Sequence, residues 1–447
     1  MHTESENSGI GDDSGRTPPK PAGVESASVQ PSSPETSSPE PVGVESDCDV
    51  LVIGGGQAGL SAAYFLERFG LSGRYQVLDN SPHPGGAWQY RWPTLTLAAA
   101  NHVHDLPGYG LIDALGVDCD ELPAATAVPD YFRRYEERFA LTVHRPVAVR
   151  SVHRDDGGPD DGGPDDRAPD DRRQGNRRQG NGFRVLIERP GAGGADPRGA
   201  HRQQSTITAR TLINATGTWD RPFIPYLPGI ADFGGRQLHT HDYTAPEEFA
   251  HQRVLVVGAG VSAIGLLIEI ARQAPGVETF WCSRTEPHFR AEPFSPQEGR
   301  EAVARVERRV RAGRPPTSVV SVTGLSRTPA IAAAQRDGIL RWRPMFTRIT
   351  EAGVRWDHDA ADTAAGTELA VDVIFWNTGF RSALDHLAPL HLRGPGGGIT
   401  MTGRLATTVA ADPRIQLLGY GPSASTIGAN RAGREAARAV AELLADR

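Results

Sequence analysis

The stretch Asp49–Gly86, DVLVIGGGQAGLSAAYFLERFGLSGRYQVLDNSPHPGG, decides how the chain folds. It opens on four apolar residues in a row, Val50, Leu51, Val52 and Ile53, the mark of a strand covered on both faces. Glycines follow in the spacing Gly54-x-Gly56-x-x-Gly59. Leu60, Ala63, Tyr64, Leu66 and Phe69 then recur at helical period, and a second short strand, Tyr75–Leu78, ends on Asp79. Strand, glycines, helix, strand and acid in that order make a βαβ unit with a dinucleotide-binding fingerprint. Gly54 permits the tight turn, Gly56 lets backbone approach a pyrophosphate, and Gly59 lets helix lie close to strand. The helix N-terminus offers unpaired N–H groups and its positive dipole end to the phosphates. Asp79 stands where a carboxylate accepts bonds from a ribose hydroxyl.

A second unit of the same kind begins at Arg253–Val257. It runs through Gly258-x-Gly260 to Ser262 and Ala263, then a helix carrying Ile264, Leu267 and Ile268, then the strand Thr279–Cys282. No acid closes this strand; Arg284 stands there instead. A guanidinium at that point pairs with a 2′-phosphate that a carboxylate would repel, so NADPH is expected over NADH. The strands at Leu212–Asn214 and Leu369–Trp376 run into the related sequences Ala215-Thr216-Gly217 and Asn377-Thr378-Gly379. One such junction per unit suggests a chain that leaves one nucleotide domain and later returns to it. The fold class is therefore α/β, with two Rossmann-like domains, the second inserted in the first.

Composition bounds the function. The 447 residues suffice for two or three domains, and a net charge of −7 argues against nucleic acid as a partner. Cys48, Cys119 and Cys282 are far apart, so neither a redox dithiol nor a zinc knuckle is expected, and a cytoplasmic setting fits. No apolar run is long enough to span a bilayer. Residues 1–46, rich in Ser, Pro, Glu and Gly, read as a disordered tail without a secretory leader's charged and apolar regions. Residues 155–181 are tandem repeats, DDGGP then RRQGN, that cannot bury anything and read as a disordered insert.

The remaining segments are coarser. Pro84–Pro93 (PGGAWQYRWP) is a dense loop of glycines, aromatics and an arginine, suited to lie along a flat ring system through Gly86 and Trp88. Pro129–Phe139 reads as a helix with Tyr131, Phe132, Tyr135 and Phe139 on its core face. Val143–Val152, Phe183–Glu188 and Ser205–Asn214 read as a small antiparallel meander. Ser295–Glu298 is a capping box opening a helix to about Arg311, and Thr328-Pro329 opens another. Leu369–Trp376 reads as one buried strand, and Thr426–Asn430 as the lead-in to a closing helix that ends near Leu444.

Between the two fingerprints stands Phe233-Gly-Gly235-x-x-x-His239-x-x-x-Tyr243. With the paired glycine motifs, it is similar to the F-x-G-x-x-x-H-x-x-x-Y pattern of the flavin-containing monooxygenases. The resemblance covers about residues 48–447 apart from the insert. It implies FAD in the first domain (47–222 and 377–447) and NADPH in the second (223–376). It further implies reduction of FAD by NADPH, addition of O2 to give a flavin C4a-(hydro)peroxide, and transfer of one oxygen to a small organic substrate. Carried over residue by residue, Gly54, Gly56, Gly59, Asp79, Gly86, Trp88, Val147 and Gly217 would hold FAD, with Val147 meeting adenine through its backbone. Gly258, Gly260, Ser262 and Arg284 would hold NADPH. His239 would be a hinge residue or a general acid, and Asn101 is the nearest match to the family's catalytic asparagine. Thr244 replaces the lysine after the tyrosine, and Thr96 and Ala98 stand where Baeyer–Villiger relatives carry arginine and aspartate, so that reaction is disfavoured. WQYRWPTLTL resembles the plant auxin-forming branch more closely. Two other readings stay open: a flavin reductase or oxidase without oxygen transfer, and a non-enzymatic nucleotide sensor.

Overall fold

The computed structural model describes residues 47–100, 103–116, 119–155, 182–191, 202–290, 296–317, 324–361 and 363–446. The expected tail (1–46), Asn101, Ser295 and nearly all of the repeat insert lie outside the described residues.

In chain order, β1 (Asp47–Ile53), α1 (Gln57–Arg68) and β2 (Tyr75–Leu78) are followed by α2 (Leu111–Leu115) and α3 (Ala124–Phe139). Next come β3 (Val143–His144), β4 (Ala148–Asp155), β5 (Gly182–Pro190) and β6 (Arg202–Asn214). A second run holds β7 (Arg236–His239), β8 (Arg253–Val257), α4 (Val261–Gln273), β9 (Glu278–Ser283), β10 (Phe289–Arg290), α5 (Pro296–Arg311), β11 (Leu325–Ser326) and α6 (Pro329–Arg336). It continues through β12 (Trp342–Pro344), β13 (Arg348–Thr350), β14 (Gly353–Arg355), β15 (Glu368–Ala370) and β16 (Val373–Trp376). The chain closes with β17 (Met401–Thr402), β18 (Thr408–Val409), β19 (Ile415–Leu417) and α7 (Thr426–Ala445).

Two parallel sheets organise these elements. In the first, β3-β2-β1-β6-β19 are parallel neighbours, extended by β18 and β17 beyond β19, while β4 and β5 form an antiparallel flap on β6. The second, β12-β9-β8-β16-β7, is parallel throughout. Because β7 to β16 fall between β6 and β19 in sequence, the second Rossmann-like unit is inserted in the first. In both sheets the glycine-loop strand has the next strand in sequence on one side and a later strand on the other. That is the switch point at which open α/β sheets leave a crevice beyond their strand ends.

Packing explains the helices. Tyr131, Phe132 and Tyr135 of α3 are fully buried, and each such ring contributes roughly 1.5–3 kcal/mol by leaving water. Tyr131 Oη donates to the Tyr109 carbonyl (2.6 Å) and Tyr135 Oη to that of Pro107 (2.7 Å), tying the irregular stretch before α2 to the core. Helices α1 and α7 cross closely at Gly433, where a Cβ would come within 2.7 Å of Ser61 Oγ.

Four expectations are corrected. Helix α3 starts at Ala124, not Pro129, because Pro123 caps it and alanines fill its first turn; Pro129 lies inside the helix. Val143–Val152 is two strands, parted at Pro146: β3 joins the parallel sheet and β4 the flap. Leu369–Trp376 is also two strands, in different sheets, parted where Asp372 accepts Arg253 N–H through its carboxylate (2.7 Å) and Arg236 N–H through its carbonyl (2.9 Å). The segment Thr426–Asn430 is the first turn of α7, since Ser425 Oγ caps it by accepting from Gly428 N–H (3.1 Å).

Candidate functional site

The two glycine loops are built alike. Gly54 N–H donates to the Leu78 carbonyl (2.7 Å) and Ala215 N–H to that of Ile53 (2.7 Å). Gly258 N–H donates to Cys282 (2.9 Å) and Asn377 N–H to Val257 (2.8 Å). Both glycines sit at positive φ, +106° and +149°, with the carbonyl of Ala215 or of Asn377 where a Cβ would be. A Cβ on Gly59 would run into the Gly54 carbonyl oxygen, so α1 starts hard against the loop. The sequences Ala-Thr-Gly and Asn-Thr-Gly are thus the walls that each loop turns against.

At the first loop, a Cβ on Gly86 would lie 3.0 Å from Gly56 Cα, so the loop carrying Trp88 closes over the glycines. Gly217 and Gly419, past the ends of β6 and β19, come side by side, both at positive φ. Asp79 is buried at the end of β2. Its Oδ1 accepts from Ser81 N–H (3.1 Å), and its Oδ2 meets Arg145 Nε (3.3 Å). Arg145 also reaches both oxygens of Glu136 (2.8 Å each) and the Gly55 carbonyl (3.4 Å). Burial holds the Glu136 carboxyl above its usual range in spite of that guanidinium. Val147 donates its N–H to the Asp79 carbonyl (2.8 Å) and buries its side chain.

At the second loop, Gly260 has open space where a Cβ would point, and Val261, in the first turn of α4, is exposed. Ser262 is half-buried beside it. Trp281 Nε1–H donates to the Gly258 carbonyl (2.7 Å) and fixes the loop from below. Arg284 is exposed beyond the end of β9.

Chain passes between the two sheets twice, side by side. Phe223 N–H donates to the Gly379 carbonyl (3.0 Å) and Arg381 N–H to that of Arg221 (2.8 Å), with an antiparallel bridge between Pro222 and Phe380. His239 ends β7 beside this pair. Its Nδ1 accepts from His241 N–H (3.1 Å), so its Nε2 carries the proton and donates to the Gly379 carbonyl (3.0 Å). Burial lowers its pKa and keeps the ring neutral. Tyr243 packs among Trp92, Phe249 and Phe375. Its hydroxyl donates to Glu269 Oε1 (3.0 Å), the oxygen that also accepts from Thr94 (2.5 Å). Burial and Glu269 push that phenol up.

Sequence reasoning missed Arg145, Glu136, Glu269 and His386. Their partners lie on other elements, and none has a motif. His386 Nε2 bonds Asn214 Oδ1 (2.7 Å) behind the first Ala-Thr-Gly wall, and burial lowers its pKa to about 4. An unfolded histidine titrates near 6.5. Both states are neutral above that pH. Below it the unfolded chain binds a proton that the folded chain refuses, so stability falls as pH drops from about 6.5 to about 4, by about 1.4 kcal/mol per unit at most. Urea midpoints at pH 7 and pH 5 are expected to differ less in His386→Gln than in the parent; equal differences would contradict this.

Residues 48–411 match the family model for pyridine nucleotide-disulphide oxidoreductase. A solved flavin-containing monooxygenase from Stenotrophomonas maltophilia is 32% identical, with 90% of this chain and 100% of that one covered and a TM-score of 0.66. The chain belongs to the pyridine nucleotide-disulphide oxidoreductase family, in its flavin-monooxygenase-like branch. Membership makes it an oxidoreductase and implies flavin and nicotinamide cofactors. Among other relatives, an uncharacterized CzcO-like oxidoreductase of Geobacillus kaustophilus is 25% identical over 50% of this chain and 51% of its own length. Senecionine N-oxygenase of Tyria jacobaeae is 24% identical over 50% of this chain and 44% of its own. The chain spans about half the length of the curated relatives it matches. No helix among the described residues is long and apolar enough to cross a membrane.

Proposed function

We propose that this oxidoreductase is an NADPH-dependent, FAD-containing monooxygenase that inserts one atom of O2 into a small organic substrate. The observation that carries the reading is the pair of like-built glycine loops in one chain, each at the switch point of its own parallel sheet. The fit to nucleotides rests on the same loops. Backbone fills every direction a Cβ would take at Gly54 and Gly258, while Gly260 stays open beside a helix N-terminus. The FAD-binding part is taken as 47–222 with 377–447, and the NADPH-binding part as 223–376.

When bound, the flavin supplies hydride acceptance from the nicotinamide and delivery of one oxygen atom to the substrate, the other leaving as water. The chain supplies geometry. Gly54, Gly56 and Gly59 receive the FAD pyrophosphate, Asp79 its ribose, and Val147 its adenine through the backbone. Gly86, Trp88 and Gly217 line its flank. Gly258, Gly260 and Ser262 receive the NADPH pyrophosphate and Arg284 its 2′-phosphate. His239, with both ring nitrogens committed to backbone, holds the crossover in place rather than passing a proton. Cys48, Cys119 and Cys282 are far apart in the sequence and form no C-x-x-C pair, so a dithiol relay of the disulphide reductases is unsupported.

The test is a substrate screen under 18O2 with purified holoenzyme, following NADPH use, hydrogen peroxide and product mass. One labelled atom per NADPH in an organic product is expected; peroxide equal to NADPH with every compound would leave an oxidase. Arg284→Ala is expected to lower kcat/KM for NADPH by about tenfold or more, the worth of a charge-assisted contact, and to spare NADH. An unchanged preference would remove the phosphate assignment.

A further inference from the structure

The crossover region holds a cation without a counter-ion. Arg91 follows the Trp88 turn, and its guanidinium lies 4.2 Å from the centroid of Trp219 and 5.6 Å from that of Trp88. Its Nε is sealed from solvent with no acceptor. Among the described residues no carboxylate pairs with it; its backbone N–H alone is bonded, to the Trp88 carbonyl (3.1 Å). Burial lowers its pKa only to about 10, so it stays charged at neutral pH.

Arg91 is half-buried, with Nε sealed and no ion partner among the described residues, and is held at a cost that a pair of indole faces offsets only in part. A ligand that brings the anion removes the cost. The phosphates of both nucleotides already have glycine loops and helix N-termini to meet them, and Arg91 belongs to neither loop. It stands instead where the two passages of chain between the sheets meet. Trp219 stacks there on Phe380 (5.1 Å), with Tyr90 parallel to it (6.5 Å) and His241 beside it (4.9 Å). Rings of this kind suit a flat or apolar body, and one guanidinium suits one carboxylate, held by two parallel N–H···O bonds.

We propose that Arg91 binds the carboxylate of the organic substrate, which makes the preferred substrates monocarboxylic acids with an aromatic or apolar body. This rests on the monooxygenase reading, but its test does not require turnover. Purified holoenzyme is titrated with benzoate, phenylacetate and pyruvate, and in parallel with benzamide, phenylacetamide and pyruvamide, following the flavin absorption band. At least one acid is expected to bind saturably, with its amide about tenfold weaker or worse. Arg91→Met is expected to weaken the acid by a like factor and bring acid and amide together, with flavin content and KM for NADPH kept. Arg91→Gln, which keeps N–H donors without the charge, is expected to do the same and serves if the methionine variant loses flavin.

Equal binding of acid and amide, or of none of the six, would overturn the assignment. So would an Arg91 variant that keeps acid affinity. A variant that raises KM for NADPH while sparing the acid would give the anion to the nucleotide and also overturn it. Arg91-dependent acid binding without any 18O in product would leave the site standing and sink the monooxygenase instead.

Discussion

Gly59→Ala is expected to yield protein that retains no flavin and has lost most of its stability, and Gly54→Ala to do nearly the same. The added methyl at Gly59 falls on the Gly54 carbonyl oxygen, which is backbone and cannot swing away. At Gly54 the methyl would lie 2.5 Å from the Ala215 carbonyl oxygen, at a φ of +106° that alanine rarely adopts. Strain of this kind costs about 1–3 kcal/mol for the dihedral alone, before the overlap is counted. Gly260→Ala is the control. Nothing stands where its methyl would go, so the fold and flavin content should survive while KM for NADPH rises. Flavin-to-protein absorbance ratios and thermal melts of the three variants check this. If Gly59→Ala comes out yellow and melts with the parent, the loop is not packed as described.

Arg145→Met should be the most damaging change outside the glycine loops. Arg145 is 8% exposed and bonds Asp79 (9%) and Glu136 (12%) at once. Removing it leaves two buried carboxylates facing each other, a loss of about 3–5 kcal/mol by comparison with broken buried ion pairs. The sign is testable by repair. Arg145→Met with Glu136→Gln takes one of the stranded charges away and is expected to recover part of the loss, whereas Glu136→Gln alone should cost much less than Arg145→Met. Chemical denaturation of the four proteins closes the cycle. Additive effects would mean that Arg145 and Glu136 act independently, contrary to their two 2.8 Å bonds.

These two cases divide what the sequence could tell. Glycine loops are legible because their physics is local: a turn, a close approach and a helix start fall within six residues of one another, from Gly54 to Gly59. Both βαβ units, the insertion of one in the other and the Thr328 cap followed accordingly. The Asp79–Arg145–Glu136 cluster was illegible because its members come from a strand end, a turn and a helix that only the folded sheet brings together. Element edges failed for a related reason. The apolar run Leu369–Trp376 looks continuous, yet Asp372 in its middle serves two backbone N–H groups and splits it between sheets. Pro129 looked like a helix start, but the alanines before it extend the turn backwards.

The doubled crossover has a mechanical consequence. A single linking strand can swivel as well as bend. Two antiparallel segments, laced by the Phe223–Gly379 and Arg381–Arg221 bonds, behave as a strip hinge: flexing about the axis across the strip is soft, while rotation along it shears the lacing. His239, bonded to the same Gly379 carbonyl, stiffens one edge. Any relative movement of the two sheets is therefore guided along one direction, which in the proposed reaction would present a nicotinamide held by one half to the other half at a constant angle.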